Sequence, residues 1–206
     1  MVLCNEEDII IFGTERAGKS TLSKKINKEF GYFAFSVDKF VSTFFRAYPQ
    51  LEINYTNEQT AANLAPFLGH FLSIYSSSYH GVEGNRFVIE GYFDFEKIIP
   101  IWDFYEDLGE FKREFNKHFL LIGLIYPNQT PDGLFSDIRK HDTEEDWTYN
   151  LSDDELRGHV IRGIEYSRNF YENFKQYDPI IYDVSENREQ VLDKIVNDIK
   201  IIFDMI

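Results

Sequence analysis

The sequence predicts an α/β protein whose five parallel strands form one sheet covered by helices on both faces. Five short runs of apolar residues recur along the chain, and helical stretches separate them. The first run ends in a glycine-rich turn that leads directly into a helical segment. Strands that alternate with helices are typical of βαβ units, whose crossovers place helices on both faces of a parallel sheet.

The predicted strands are short and apolar, as strands covered on both faces must be. Residues 8–12 (DIIIF) end at Gly13, residues 86–90 (RFVIE) end at Gly91, and the fourth strand is stopped by Pro127. The carboxyl ends of such strands line the ligand site of an open α/β sheet. The five strands are residues 8–12, 32–37, 86–90, 118–126 and 179–184.

Capping residues and breakers set the predicted helices. Gly31 is a C-cap for the first helix, and Ser152 with Glu155 forms a capping box for a later one. Thr56 or Asn57 can cap a long third helix, in which Pro66 predicts a kink or a break. The helices are residues 20–30, 38–47, 57–79, 95–107, 131–141, 153–176 and 188–203.

The length and net charge of the chain limit its domain number and the classes of function it can have. A chain of 206 residues predicts one domain, residues 1–206. A net charge of −14 argues against an extended surface for nucleic acid or anionic membrane, because both need clustered lysine and arginine. No signal peptide and no membrane-spanning stretch is recognisable, so we expect a cytoplasmic protein. Cys4 stands alone, so no intramolecular disulfide is expected, and the oligomeric state stays open.

One motif is specific. Residues 13–20 (GTERAGKS) match G-x-x-x-x-G-K-[ST], the phosphate-binding loop, between an apolar strand and a helix. Its backbone N–H groups form an anion nest at a helix N-terminus, where Lys19 reaches the β- and γ-phosphates and the Ser20 hydroxyl can ligate Mg²⁺. We therefore expect a nucleotide-binding site that also holds Mg²⁺. The predicted nucleotide-binding residues of the loop are Gly13, Thr14, Glu15, Arg16, Ala17, Gly18, Lys19, Ser20 and Thr21.

Other classes of phosphate-loop protein lack support. A regulatory GTPase would carry N-K-x-D, but the nearest string is NKHF at residues 116–119. A transporter-type ATPase signature such as LSGGQ is absent from the sequence. Motor and AAA enzymes end a strand in Asp or Asp-Glu, whereas the third strand here ends in Glu90-Gly91.

The chain resembles the adenylate-kinase-like and shikimate-kinase-like P-loop kinases over most of its length. Residues 36–38 (SVD) resemble the S-x-D after strand two of that group. Residues 88–92 (VIEGY) resemble its I-x-D-G after strand three, with Glu for Asp. Arg139 and the arginine-bearing helix after it resemble the group's lid. The resemblance implies a three-layer αβα fold, strand order 2-3-1-4-5, an acceptor-binding region at 38–80 and a lid at about 128–170. It implies ATP as the nucleotide cofactor, beside Mg²⁺.

The resemblance also implies roles. Asp38 would take the proton of the acceptor hydroxyl, unless it only caps the next helix. Glu90 would hold Mg²⁺-bound water or the acceptor, unless it only forms an ion pair at the sheet edge. Arg139 would neutralise the migrating phosphoryl group, and Arg157, Arg162 or Arg168 would contact phosphate unless that helix face is merely solvated. Asn187 would lie at the adenine, or cap the last helix.

The acidic residues 142–146 (DTEED) fit this interpretation least. A solvent-facing loop is the simplest explanation, with a cationic acceptor or a metal ion as alternatives. The function that the sequence predicts is ATP-dependent transfer of a phosphoryl group to a small molecule, with a nucleoside or nucleotide as the leading acceptor. The alternative is a nucleotide-binding regulatory or interaction protein with weak or no kinase activity.

Overall fold

The structure, a computed structural model, describes residues 8–51, 58–75, 86–107, 115–144 and 146–204. Its strands are β1 (Asp8–Gly13), β2 (Phe33–Ser36), β3 (Phe87–Glu90), β4 (Phe119–Ile125) and β5 (Ile180–Asp183). Its helices are α1 (Lys19–Phe30), α2 (Val37–Ala47), α3 (Glu58–Tyr75), α4 (Phe95–Asp107), α5 (Phe115–His118), α6 (Pro131–His141), α7 (Asp153–Phe174) and α8 (Arg188–Asp204).

The strands form one sheet in the order β2-β3-β1-β4-β5, and every pair is parallel. This confirms the predicted fold class and strand order. Residues 8–12 of the central strand β1 are buried, because β3 and β4 flank the strand and helices cover both its faces. The carboxyl ends of β1, β2 and β3 therefore meet at one edge of the sheet.

The two faces of the sheet carry different cores. Ile9 and Ile11 point to a face packed mainly by aliphatic side chains of α1, α7 and α8, whereas Ile10 and Phe12 point to a face rich in rings. Alternation along a strand produces this division. The buried aromatic residues of the second face are Phe12, Phe93, Phe95, Trp102, Phe115, Phe119 and Phe170.

Several boundaries differ from the prediction. Ser36 caps α2 by accepting a hydrogen bond from the Lys39 N–H at 3.4 Å, so Asp38 lies in the first turn and is not the cap. The short helix α5 takes His118, which we expected in β4. We expected a kink or a break at Pro66; it lies inside α3, which continues past it, so a break is wrong and the kink stays a prediction. The expected caps Thr56 and Asn57 and the end of that helix at Tyr79 lie outside the described residues.

No helix in the described part of the chain is both long and apolar enough to cross a membrane.

Candidate active site

The loop between β1 and α1 owes its shape to its backbone. Gly13 has φ of +121°, and a Cβ there would lie 2.2 Å from the Leu124 carbonyl oxygen, so only glycine fits. The next N–H, of Thr14, donates to that same carbonyl at 2.9 Å and pins the loop to β4. Gly18 is the left-handed N-cap of α1, with φ of +97°. Arg16 has φ of +60°, a conformation that costs a side-chain-bearing residue about 1–2 kcal/mol.

Lys19 lies under this loop. Its Nζ donates to the Thr14 carbonyl at 2.8 Å and to the Gly13 carbonyl at 3.4 Å. Burial lowers the pKa of Lys19, while the carboxylates of Asp38, Glu90 and Glu15 act in the opposite direction. The ammonium is therefore placed where a phosphate oxygen could replace a backbone carbonyl as its partner.

Ser20 and Glu90 form the oxygen-rich part of the site. The Ser20 hydroxyl donates to Glu90 Oε1 at 3.0 Å, joining α1 to the end of β3. Glu90 is buried, and the backbone N–H of the following Gly91 donates to the Ile11 carbonyl at 3.2 Å, which ties the end of β3 to β1. A hydroxyl beside a carboxylate is the donor set that Mg²⁺ accepts in nucleotide sites, so these residues fit the predicted ion.

Asp38 approaches from the neighbouring strand. It follows β2, and a Cβ added at Gly91 would lie 3.4 Å from Asp38 Oδ1 and 2.7 Å from Val37 Cβ. The backbone N–H of Tyr92 donates to the Asp38 carboxylate. Desolvation raises the pKa of Asp38 above its ordinary value, and the negative charges of Glu90 and Glu15 act in the same direction. The positive charge of Lys19 acts in the opposite direction but does not reverse the shift. The structure thus brings Lys19, Ser20, Asp38 and Glu90 to one edge of the sheet.

Helix α7 holds the loop from the other side, a contact that sequence reasoning missed. The hydroxyls of Thr14 and Ser167 are 2.6 Å apart in the buried interior, and Ser167 Oγ also accepts from the Tyr126 N–H at 3.1 Å. Gly163 allows this approach, since a Cβ there would lie 2.5 Å from the Tyr126 hydroxyl oxygen. Motif reasoning gave no signal for this packing, because the partners are 153 residues apart in the chain.

The predicted lid arginines bind within the lid. Arg139 donates to the carbonyls of Thr148 (3.2 Å) and Leu151 (2.7 Å) and to Asp153 Oδ1 (2.8 Å). Arg157 pairs with Asp132 at 2.7 Å.

The other two arginines of α7 are exposed. Arg168 donates to the Pro127 carbonyl at 3.2 Å, and Arg162 directly precedes Gly163 on the helix. Among the described residues, no hydrogen bond or ion pair joins any of these four arginines to the loop, so their contact with phosphate stays a prediction.

The acidic residues after α6 are not simply solvent-facing, which corrects our expectation for two of them. The side chain of Asp142 is almost fully buried, and its Oδ1 accepts from Arg16 NH2 at 2.8 Å. Asp146 accepts from Arg16 NH1. Burial works against ionisation of Asp146, but hydrogen bonds from Thr143 and Arg16 hold its pKa below the ordinary value. The carboxylates therefore neutralise a cation of the phosphate-binding loop.

A cavity of about 580 Å³ opens beside the loop. Arg16 and Tyr126 line it on the side of the loop, and Asn187 and Arg188 line it at the start of α8. Arg188 also donates to the Arg16 carbonyl at 3.3 Å. Asn187, predicted to bind the nucleotide, thus lines a cavity next to the proposed phosphate site. Gln129 lines the same cavity and donates to the Ser185 carbonyl, and nothing in the sequence indicated it.

The comparisons with known proteins agree with the fold. No family model and no curated protein matches the chain, but solved structures do. Shikimate kinase from Bacteroides thetaiotaomicron superposes with a TM-score of 0.57 at 18% identity, over 94% of this chain and 98% of its own. A Chloroflexus aurantiacus protein provisionally named as a kinase gives 0.53 at 16% identity, over 95% and 97%.

The chain has the fold of a P-loop small-molecule kinase. This confirms the resemblance inferred from the sequence. Deoxyadenosine kinase from M. mycoides also matches, with a TM-score of 0.46 at 19% identity over 94% of this chain and 98% of its own. At such low sequence identities, the likeness to solved structures establishes the fold of the chain and does not identify its substrate.

Proposed function

We propose that the chain is an ATP-dependent phosphotransferase that moves the γ-phosphate to a small-molecule acceptor, with a nucleoside or nucleotide as the leading class. One observation carries the proposal: Lys19, the Ser20–Glu90 pair and Asp38 converge at the carboxyl ends of β1, β3 and β2. Phosphoryl transfer needs a positioned cation, oxygen ligands and a carboxylate beside the acceptor, and these are the groups assembled here.

In the proposed reaction, the loop N–H groups and Lys19 would bind the β- and γ-phosphates. Ser20 and Glu90 would hold Mg²⁺, which supplies charge neutralisation at the phosphate oxygens. Asp38 would accept the hydroxyl proton as the acceptor oxygen bonds to the γ-phosphorus and the bond from that phosphorus to the β,γ-bridging oxygen breaks. Asn187 would lie at the base of the nucleotide, beside the cavity that it lines.

The lid at about 128–170 would cover the phosphates, with Arg139 and Arg157 as its proposed cations. The acceptor region at 38–80 would lie over Asp38. Its rings pack on one another and on β2, with Phe40 against Phe67 at 4.4 Å and Phe71 against Phe35 of β2 at 4.7 Å between centroids. This packing supports a structural role for these rings beside the acceptor site.

A second candidate is a nucleotide-binding protein with weak or no transfer activity. The ion pairs favour it, because Arg16 is neutralised by Asp142 and Asp146, and Arg157 by Asp132. Cations already paired with carboxylates contribute less to a developing phosphate charge. The two candidates differ in one measurable property, which is whether an acceptor increases ATP turnover.

The deciding experiment measures ATP consumption with a panel of nucleosides, nucleotides and small alcohols. We expect one acceptor class to raise turnover well above basal hydrolysis, and Lys19→Ala to lower that rate about a hundredfold to a thousandfold, the scale for loss of one preorganised electrostatic contact. Lys24→Ala is the matched control, because Lys24 is exposed on the same helix. If no acceptor raises turnover, the second candidate replaces the first.

The pH profile tests Asp38. Its raised pKa means that the carboxyl takes up a proton at a higher pH than an ordinary aspartate. If ionised Asp38 is the base, activity falls as the pH drops through this raised pKa, above the ordinary value of 3.8. Asp38→Asn should remove most of the activity together with this acid limb. An acid limb that persists unchanged in an active Asp38→Asn enzyme would contradict the assignment.

A further inference from the structure

The side chain of Arg16 is held from both sides of its guanidinium. NH2 donates to Asp142 and NH1 to Asp146, so each terminal nitrogen has its own carboxylate. We call these three residues the clamp. The clamp joins the phosphate-binding loop to residues 142–152, which we call the acidic turn. The structure describes all residues of this turn except residue 145. The partners are 126 and 130 residues apart, so the clamp is a tertiary contact.

Each of the two carboxylates also has partners other than Arg16. The Thr148 hydroxyl donates to Asp142 Oδ1 at 2.6 Å, and the Arg139 guanidinium lies 3.9 Å from Asp142 Oδ2. Asp146 Oδ2 accepts from both the N–H and the hydroxyl of Thr143, at 2.9 and 3.0 Å. A solvated acidic loop would need none of these bonds, whereas a receptor for a planar guanidinium requires its carboxylates fixed in direction.

The backbone of Arg16 gives a second reason to treat the clamp as built. Its φ of +60° is unfavourable for a residue with a side chain, and such a conformation persists where the surroundings determine it. The clamp acts on its side chain, and the Arg188 guanidinium donates to its carbonyl oxygen at 3.3 Å. Together the two contacts hold Arg16 between the acidic turn and the start of α8, where it lines the cavity.

A neighbouring contact provides a reporter. Trp147, next to Asp146, forms a T-shaped ring contact with His159 of α7, with 5.0 Å between the ring centroids. His159 Nδ1 lies 3.7 Å from Glu15 Oε2 of the loop. The chain has two tryptophans, of which Trp102 is fully buried and Trp147 is 49% exposed. A soluble quencher therefore reports on Trp147 and on whether the acidic turn stays against the loop.

We propose that Asp142 and Asp146 are positioning residues that hold Arg16, and with it the phosphate-binding loop, against the acidic turn before nucleotide binds. The proposal rests on the nucleotide site proposed above and adds residues to it. A site ordered in advance spends less of its binding free energy on ordering loops. The clamp should therefore raise the affinity for ATP without touching the reacting atoms.

The test compares Arg16→Gln and Arg16→Lys with the unaltered protein. Without nucleotide, acrylamide should quench Trp147 more strongly in Arg16→Gln, and ATP should bind about tenfold more weakly by calorimetry, because both loops must then be ordered on binding. Arg16→Lys should behave like Arg16→Gln, since one ammonium cannot reproduce the two-sided geometry. In Asp146→Asn, which alters a proposed positioning residue outside the phosphate-binding loop, turnover at saturating ATP should change far less than the KM for ATP.

Two milder variants protect the test against misfolding. Asp146→Asn removes one charge from a partly exposed residue, and Thr148→Val removes the hydroxyl that orients Asp142 while keeping every charge. Both should shift quenching and affinity in the same direction as Arg16→Gln but less. Lys200→Gln is the matched control, because it breaks an exposed ion pair with Glu29 at the far end of α1 and should change neither readout.

The outcomes separate the clamp from the proposed function. Unchanged quenching in folded Arg16→Gln would overturn the clamp. Stronger quenching with unchanged or tighter ATP binding would overturn the positioning role, and tighter binding would make the clamp a barrier to nucleotide. If the unaltered protein binds no ATP, the proposed function and the positioning role both fail, while quenching still shows whether Arg16 holds the turn.

Discussion

The phosphate-binding loop at 13–20 and the acidic turn at 142–152 meet at Arg16, but different parts of the chain hold each of them in shape. The loop depends on its backbone, through Gly13 against the Leu124 carbonyl and the left-handed Gly18. The acidic turn depends on side chains, because Arg139 binds two of its carbonyls and threonine hydroxyls orient its carboxylates. A backbone-determined loop leaves a fixed pattern in the sequence, whereas a side-chain-determined turn does not.

The largest expected effect concerns the backbone of the loop. In Gly13→Ala, the new Cβ would lie 2.2 Å from a backbone oxygen of β4 that cannot move without disturbing the sheet. We expect the free energy of unfolding to fall by about 3 kcal/mol or more, from the clash together with the strained φ. Urea denaturation followed by far-UV circular dichroism measures it.

Gly31→Ala is the control for that substitution. Gly31 also has positive φ, at +74°, but a Cβ there would meet nothing within 4 Å. It should therefore cost only the conformational part, about 1–2 kcal/mol. If both variants lose the same stability, the contact with β4 is not what requires glycine at position 13.

An intermediate effect is expected where α7 meets the loop. Ser167→Ala leaves the Thr14 hydroxyl and the Tyr126 N–H buried without their partner, which should lower the free energy of unfolding by about 1–3 kcal/mol. Thr43→Ala removes an exposed hydroxyl whose bond lies within α2 and should change stability by no more than about 0.5 kcal/mol. Thermal unfolding of the two variants compares them directly.

A double substitution sharpens the assignment. In a Thr14→Val protein, the Thr14 hydroxyl that Ser167→Ala would leave unpaired is absent. Ser167→Ala should therefore lower the free energy of unfolding less in that protein than in the unaltered one. Equal costs in both backgrounds would show that the two hydroxyls do not depend on each other.

The sequence was sufficient for most of the fold and for the centre of the candidate site. Alternating apolar strands and helices predicted the parallel sheet, and the GTERAGKS pattern placed Lys19 and Ser20. The strand order came from the family resemblance, as did the pairing of Asp38 with Glu90 at one edge. These features depend on local patterns that recur between proteins.

The remaining contacts could not be predicted, because each needs two distant segments in register. In the sequence, nothing distinguishes Arg16 from other loop residues, because its partner Asp142 is adjacent only in the fold. Likewise, nothing distinguishes Ser167 from other small residues on a helix, because its contact with Thr14 depends on the close approach that Gly163 allows. Charge runs in a sequence give the sign of a surface and not the partner that neutralises it.

The smallest expected effect tests whether the acidic turn depends on the helix that follows it. Ser152 caps α7 with a full capping box, in which its side chain accepts from the Glu155 N–H and its own N–H donates to the Glu155 carboxylate at 2.9 Å. Ser152→Ala should lower the free energy of unfolding by about 1 kcal/mol, and Ser152→Gly by only a few tenths, because glycine is a tolerable N-cap.

Because α7 also carries Ser167, fraying of its first turn must stop well before the loop contact, fifteen residues further on. We therefore expect the Ser152→Ala loss to add to that of Ser167→Ala in the combined variant, as distant sites do. A combined loss clearly different from the sum would mean that the acidic turn, α7 and the phosphate-binding loop respond as one unit.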